Sequence, residues 1–208
     1  MTDFPNYPYT EPLIFDSHAH YDDAKFDEIR AELLETLPAH GVCGVVNCGC
    51  DTESSKAALA LAEKYPFFYA AVGIHPENIG GGEVSEIEDL AHRKKCVAIG
   101  EIGLDYYWVD DNKEQQRALF EEQLALANSL NLPVIVHDRD AHADTMAIVR
   151  EFPRVTGVFH CFAGSVEMAR ELLALGWMLS FNGAITFKNV RRAPEVVAAV
   201  PLERLMIE

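Results

Sequence analysis

The sequence predicts an α/β chain in which eight strands and seven helices alternate to form a closed (β/α)8 barrel. Three observations predict it. Apolar runs rich in Val, Ile and Phe alternate with amphipathic segments rich in Ala, Leu and Glu. The runs are apolar at consecutive positions, as in parallel strands covered on both faces. Eight such units with short connections suit a closed barrel better than an open doubly wound sheet.

The elements follow in order. The first strand is expected over Leu13–Ser17, after a polar, Pro-rich extension of residues 1–12. Apolar residues three or four apart (Phe26, Ile29, Leu33, Leu34, Leu37) predict a helix that stops at Gly41. Strand two is expected over Cys43–Asn47, and the next helix over Ser54–Tyr65, halted by Pro66. Strand three spans Phe67–Gly73 and closes on Ile74-His75-Pro76. After the turn Gly80-Gly81-Gly82, a short helix covers Glu83–His92. Strand four, Cys96–Ile99, runs into Gly100-Glu101-Ile102-Gly103-Leu104-Asp105. A long helix fills Lys113–Leu130, with Ala118, Phe120, Leu124, Leu126 and Ala127 among its apolar positions. Strand five is Val134–His137 and the helix after it Ala141–Glu151. Strand six is Gly157–His160, followed by a helix over Ser165–Leu175 with Ser165 as N-cap. Strand seven is Trp177–Phe181. A helix over Val190–Val200 precedes the last strand, Leu205-Met206-Ile207. The expected architecture is one domain over residues 1–208, lacking a helix after the eighth strand.

Composition narrows the function classes. At 208 residues, 49% hydrophobic and 24% charged, the chain can bury one sizeable core. No apolar run is long enough to span a bilayer. The five cysteines (Cys43, Cys48, Cys50, Cys96, Cys161) are an odd number without a secretory leader, so reduced thiols and a cytoplasmic location are expected. Cys48-Gly49-Cys50 lacks the second Cys pair of a structural zinc site. The net charge of −16 argues against a broad basic face that grips duplex DNA. It leaves room for a nucleic-acid enzyme, because divalent ions in an acidic pocket reverse the local field.

In such a barrel, catalytic groups stand at the C-terminal ends of the strands. His18 and His20 end strand one, two apart and therefore on one face. His75 ends strand three, Glu101 strand four, His137 strand five and His160 strand six. Singly, each has an ordinary structural explanation. Jointly, that many ionisable groups at one rim would cost several kcal/mol unless something paired them. His75 aside, four imidazoles and a carboxylate suit Zn²⁺, Mn²⁺, Fe²⁺ or Co²⁺ better than Ca²⁺. Five ligands exceed the three of one open catalytic site, so one or two ions per chain are expected. His18 and His20 would hold one ion and His137 and His160 the other, with Glu101 between them as bridge and catalytic group. Two ions about 3.5–4 Å apart can activate water and clamp an oxygen together.

The runs Phe15-Asp16-Ser17-His18-Ala19-His20, Gly73-Ile74-His75-Pro76, Ile99-Gly100-Glu101-Ile102-Gly103-Leu104-Asp105-Tyr106, Pro133-Val134-Ile135-Val136-His137 and Phe159-His160-Cys161-Phe162-Ala163-Gly164 resemble the TatD family of metal-dependent hydrolases, in the amidohydrolase superfamily. The resemblance implies a distorted TIM barrel and the metal ligands His18, His20, Glu101, His137 and His160. It also implies nuclease activity, the removal of nucleotides from 3′ ends of single-stranded DNA or RNA. The family ends its eighth strand in Glu-Thr-Asp, and that Asp also binds metal. Here Glu208 matches the family Glu, so a C-terminally truncated form with a weakened first site and impaired turnover is expected.

Further residues are candidates for substrate contact. His75 can face the substrate or shape its turn. Asp105 can orient a ligand or meet the substrate. Arg139 can contact a phosphate or form a rim salt bridge. Tyr106, Tyr107 and Trp108 can stack on unpaired bases or form an apolar lid, and Asn182-Gly183 can approach the substrate or only turn the chain. Three function classes remain: a phosphodiesterase on single-stranded nucleic-acid ends, a hydrolase of an amide, lactone or aminoacyl ester, and a metal-binding protein without turnover. No membrane or obligatory protein partner is expected.

Overall fold

A computed structural model of the chain describes residues 13–108, 111–188, 190 and 192–208. Eight parallel strands form one sheet in chain order: β1 (Ile14–Ala19), β2 (Val42–Cys48), β3 (Phe68–Val72), β4 (Cys96–Asp105), β5 (Val134–Arg139), β6 (Gly157–Phe159), β7 (Met178–Phe181) and β8 (Leu205–Ile207). The α-helices among the described residues are α1 (Arg30–Thr36), α2 (Thr52–Lys64), α3 (Val84–Ala91), α4 (Lys113–Leu130), α5 (His142–Glu151), α6 (Val166–Ala174) and α7 (Ala193–Ala199). The barrel is nearly closed. At the β8–β1 seam the Ser17 hydroxyl donates to the carbonyl of Ile207 at 2.9 Å.

Alternation along each strand produces two apolar layers. Val45, Ala70, Ile99, Val134 and Phe159 pack outward in the larger core. Their chain neighbours Val46, Ala71, Ala98, Ile135 and Val158 form a separate inner cluster. β4 breaks the alternation. Ile99 and Ile102, three apart, both belong to the outer core, and the β4–β5 register shifts between them. One extra residue at this point turns Glu101 into the lumen.

Three helices begin away from their expected positions. The segment expected as one helix from Phe26 to Leu37 is divided into 3-10 turns at Ala24–Phe26 and Leu37–His40 flanking α1. The Arg30 guanidinium donates to the carbonyls of Tyr21, Asp22 and Asp23, which holds the preceding turn against the helix start. α2 begins two residues early because Asp51 caps it, accepting from Ser54 N at 2.7 Å. The Val190–Val200 helix shortens to α7, and the other elements shift by two residues or fewer at most ends, apart from β4, which extends to Asp105.

Helix α4 fixes two of the loops that carry polar residues. Gln116 and Gln123 are fully buried and seven residues apart on one face. The Gln123 side chain accepts from Ile74 N at 2.7 Å and donates to Ile74 O at 2.9 Å, next to His75. Gln116 does the same for Asp105, at 2.8 and 2.9 Å. Each amide stands in for a missing sheet partner, satisfying backbone groups that would otherwise be buried unpaired.

Candidate metal centre

Five imidazoles surround one carboxylate at the C-terminal mouth of the barrel. Glu101 is 3% exposed, and its two oxygens divide the rings. Oε2 lies 2.8 Å from His18 Nε2 and 3.2 Å from His20 Nε2. Oε1 lies 2.7 Å from His160 Nε2, 3.0 Å from His137 Nδ1 and 3.3 Å from His75 Nε2. The rings touch one another as well: His18 stacks on His160 with centroids 4.0 Å apart, and His75 meets His137 edge-on at 4.4 Å.

Secondary contacts set the rings. His20 Nδ1 donates to the carbonyl of Cys48 at 2.9 Å, leaving Nε2 for the centre. His137 Nε2 meets Asp105 Oδ2 at 2.9 Å, leaving Nδ1 for the centre. Asp105, left by the sequence between orienting a ligand and meeting the substrate, is fully buried. Its Oδ1 accepts from the backbone N–H groups of Tyr107 and Trp108 at 2.9 and 2.8 Å, so it orients His137 and the aromatic loop together. His75, left between facing the substrate and shaping its turn, is buried and joins the cage. Its Nδ1 accepts from Glu77 N at 3.2 Å, which caps its turn. Arg139 has no carboxylate within ion-pairing distance among the described residues. It lies over Tyr107 and Trp108 instead, with its guanidinium carbon 4.4 and 5.4 Å from their ring centroids. Tyr107 and Trp108 are more than half exposed. Asn182 turns the chain, accepting from Ala184 N. Glu208 donates nothing and accepts from the Ser180 hydroxyl, with Oε1 3.6 Å from His160 Nδ1.

The donor set fits a divalent cation. Among the described residues, a buried carboxylate faces only imidazoles, with no Lys or Arg against it, and buried His160 Nδ1 has no hydrogen-bond partner. Without an ion, protons take the cation's place. Burial disfavours the charged form of His160, but the Glu101 and Glu208 carboxylates overcome it and push the ring up to about 10. Burial likewise opposes His20, and Cys50 and Glu101 push it up to about 11. Burial and the charge of His160 lower His18. Burial raises Glu101, but the surrounding imidazoles hold it well below the ordinary carboxylate value.

The sign of the pH dependence follows. Raised folded-state values mean that the His20 and His160 protons contribute stability fully below 6.5, and that this is lost as pH rises through about 10 and 11. Ion binding displaces the same protons. Between pH 6.5 and 9, the ordinary values of histidine and cysteine, the ion-free protein should lose stability while affinity for a divalent cation rises. Thermal melts and calorimetry in buffers of different ionisation enthalpy check both signs. Ion binding without proton release at pH 7 would count against the protonated cage. A second expectation concerns Asp105. Asp105→Asn keeps an oxygen for Tyr107 N and Trp108 N but places an amide against His137, so affinity on the His137 side should fall about 10–100-fold. Competition with a chelator measures it.

The sequence also matches the family model described as TatD related DNase over residues 15–208. The chain belongs to the TatD-related DNase family. A curated TatD-type relative, described as the uncharacterized metal-dependent hydrolase YabD of Bacillus subtilis, is 40% identical over 201 residues, covering 94% of this chain and 79% of the relative. The crystal structure of YjjV, a TatD homolog from Escherichia coli K12, superposes with a TM-score of 0.85 at 33% identity, over 92% of this chain and 76% of that one. A TatD-family hydrolase structure from Entamoeba histolytica gives 0.84 at 25% identity, over 96% and 74%. No helix among the described residues of this TatD chain is long and apolar enough to cross a membrane.

Two further contacts adjoin the TatD centre; Cys50 entered the sequence reading only within the Cys48-Gly49-Cys50 run, and the Asp138–His142 pair not at all. Cys50 Sγ lies 3.9 Å from His20 Nδ1. Asp138 and His142 form a pair at the barrel mouth, 2.8 Å apart. The second was visible as an i, i+4 Asp–His pair at the start of a helix, directly after His137.

Proposed function

We propose that this TatD-family metal-dependent hydrolase cleaves phosphodiester bonds at the 3′ ends of single-stranded DNA or RNA. The observation that carries the reading is the stack of Arg139 on Tyr107 and Trp108. Two exposed aromatic rings and an Arg with no acidic partner among the described residues suit unpaired bases joined by phosphates. They stand on the loop and strand that also carry Asp105 and His137. Beside them opens a cavity of about 550 Å³ lined by His137, Arg139, His142, His160 and Arg192. That volume lies within the range of about 300–1,000 Å³ common for small-molecule sites, enough for a terminal nucleotide.

His18, His20 and Glu101 Oε2 would hold one divalent ion, and His137, His160 and Glu101 Oε1 a second, with His75 beside it. Such ions supply Lewis acidity toward water and the phosphoryl oxygens. The chain's own groups do the rest. Glu101 keeps the two halves together, Asp105 fixes the His137 tautomer, and the aromatic loop positions the strand end. The acidic remainder of the surface repels duplex backbone, so only a strand end reaching the mouth is held.

Metal-loaded protein incubated with a 3′-labelled single-stranded oligonucleotide should shorten it, and an ester and lactone panel should remain intact. Ester turnover without shortening would reject the phosphodiesterase reading. Trp108→Ala should raise KM for the oligonucleotide about 10-fold, within the 1–3 kcal/mol of one base stack. Initial rates at varied oligonucleotide concentration check it, with unchanged metal content as the control.

A further inference from the structure

The mouth of the barrel contains a titratable pair that the metal cage does not use. Asp138 follows His137 on β5, and its side chain is only 6% exposed. Its Oδ2 meets His142 Nδ1 at 2.8 Å. Its Oδ1 is buried without a hydrogen-bond partner among the described residues. His142 opens α5 with its ring 41% exposed, and it lines the same cavity of about 550 Å³ as His137 and His160. A buried carboxylate on Nδ1 fixes the tautomer and leaves Nε2 to carry a proton at the cavity.

The charged groups around this ring are Asp138, Asp140 and Arg192. The hydrogen bond that His142 Nδ1 donates to Asp138 favours imidazolium and outweighs partial burial. Asp140 adds to it and Arg192 opposes it, and the balance raises the ring above its ordinary value. His142 lies five positions after His137, and its hydrogen bond goes to Asp138, not to a member of the cage. An alkoxide leaving a ribose needs a proton as its bond to phosphorus breaks, and a positioned imidazolium is a common donor.

We propose that His142 is the general acid for the leaving 3′ oxygen, with Asp138 as its positioning residue. The inference rests on the phosphodiesterase reading above. The attacking water forms the new P–O bond and releases one proton to solvent. The P–O3′ bond breaks with its electron pair on O3′. His142 Nε2 gives its proton to that oxygen and takes another from solvent before the next turnover.

Two substrates separate this role from a structural one. A dinucleoside monophosphate has an alkoxide leaving group that needs a proton. Thymidine 5′-(p-nitrophenyl) phosphate has a phenolate that leaves without one. His142→Asn should lower kcat on the first by about 10²–10⁴-fold and change the second by less than about 3-fold. Metal content should equal that of the parent. Imidazole ¹⁵N NMR of the ion-free protein should place the His142 midpoint above 6.5 and show it falling in Asp138→Asn. Equal losses on both substrates, loss of metal, or no loss on the dinucleotide would each overturn the assignment while leaving the phosphodiesterase reading intact. A parent enzyme that cleaves neither substrate would overturn both.

Discussion

Glu101→Ala should empty both halves of the centre and lower turnover on the order of 10³-fold or more, the scale on which single catalytic groups act. The reason is the division of its oxygens: Oε2 faces His18 and His20, and Oε1 faces His75, His137 and His160. Removing the carboxylate leaves five imidazoles facing one another without an anion. Their mutual repulsion replaces attraction, and any ion loses its one charged ligand in the cage. His137→Ala removes only one ring beside Oε1 and should mainly empty that half. Elemental analysis after dialysis distinguishes the two variants. Equal and unchanged stoichiometry in Glu101→Ala would rule out the bridging role.

Gly103→Ala should destabilise the fold by about 3–5 kcal/mol, combining backbone strain with overpacking. Gly103 pairs with His137 across the β4–β5 ladder and has φ +142. A Cβ there would stand 2.0 Å from the His137 carbonyl oxygen, which is backbone and cannot swing away. The two strands must separate, and His137 moves with β5. Urea unfolding of the ion-free protein measures the cost. Gly183→Ala is the matched control: nothing lies within 4 Å of its added Cβ, so it should stay within about 0.5 kcal/mol of the parent. A Gly103 variant as stable as the Gly183 variant would contradict the close approach.

The strand ends were readable because buried parallel strands are apolar at every position, so a histidine at the end of such a run stands out. His18, His20, His137 and His160 each did. Glu101 was readable through its motif, but its inward aim was not: it depends on one extra residue between Ile99 and Ile102, and no local pattern encodes that irregularity. Helix α4 was placed from end to end by its 3.6-residue spacing. Its buried Gln116 and Gln123 looked like ordinary polar positions, because their partners, Asp105 and Ile74, lie 11 and 49 residues away. The same distance effect hid the roles of Asp105 and His75, which the sequence left between ligand, turn and substrate. Arg139 was expected either at a phosphate or in a salt bridge. Its stacking on Tyr107 and Trp108 follows from the β4–β5 register, which sets Asp105 opposite Arg139.

The most direct test of the metal centre is anomalous diffraction from crystals of this chain grown with Zn²⁺ or Mn²⁺, collected at the absorption edge of the ion. Peaks are expected between Glu101 Oε2 and the His18–His20 pair, and between Oε1 and the His137–His160 pair. A cage without a peak, or an ion seated at Cys48 and Cys50 away from Glu101, would contradict it.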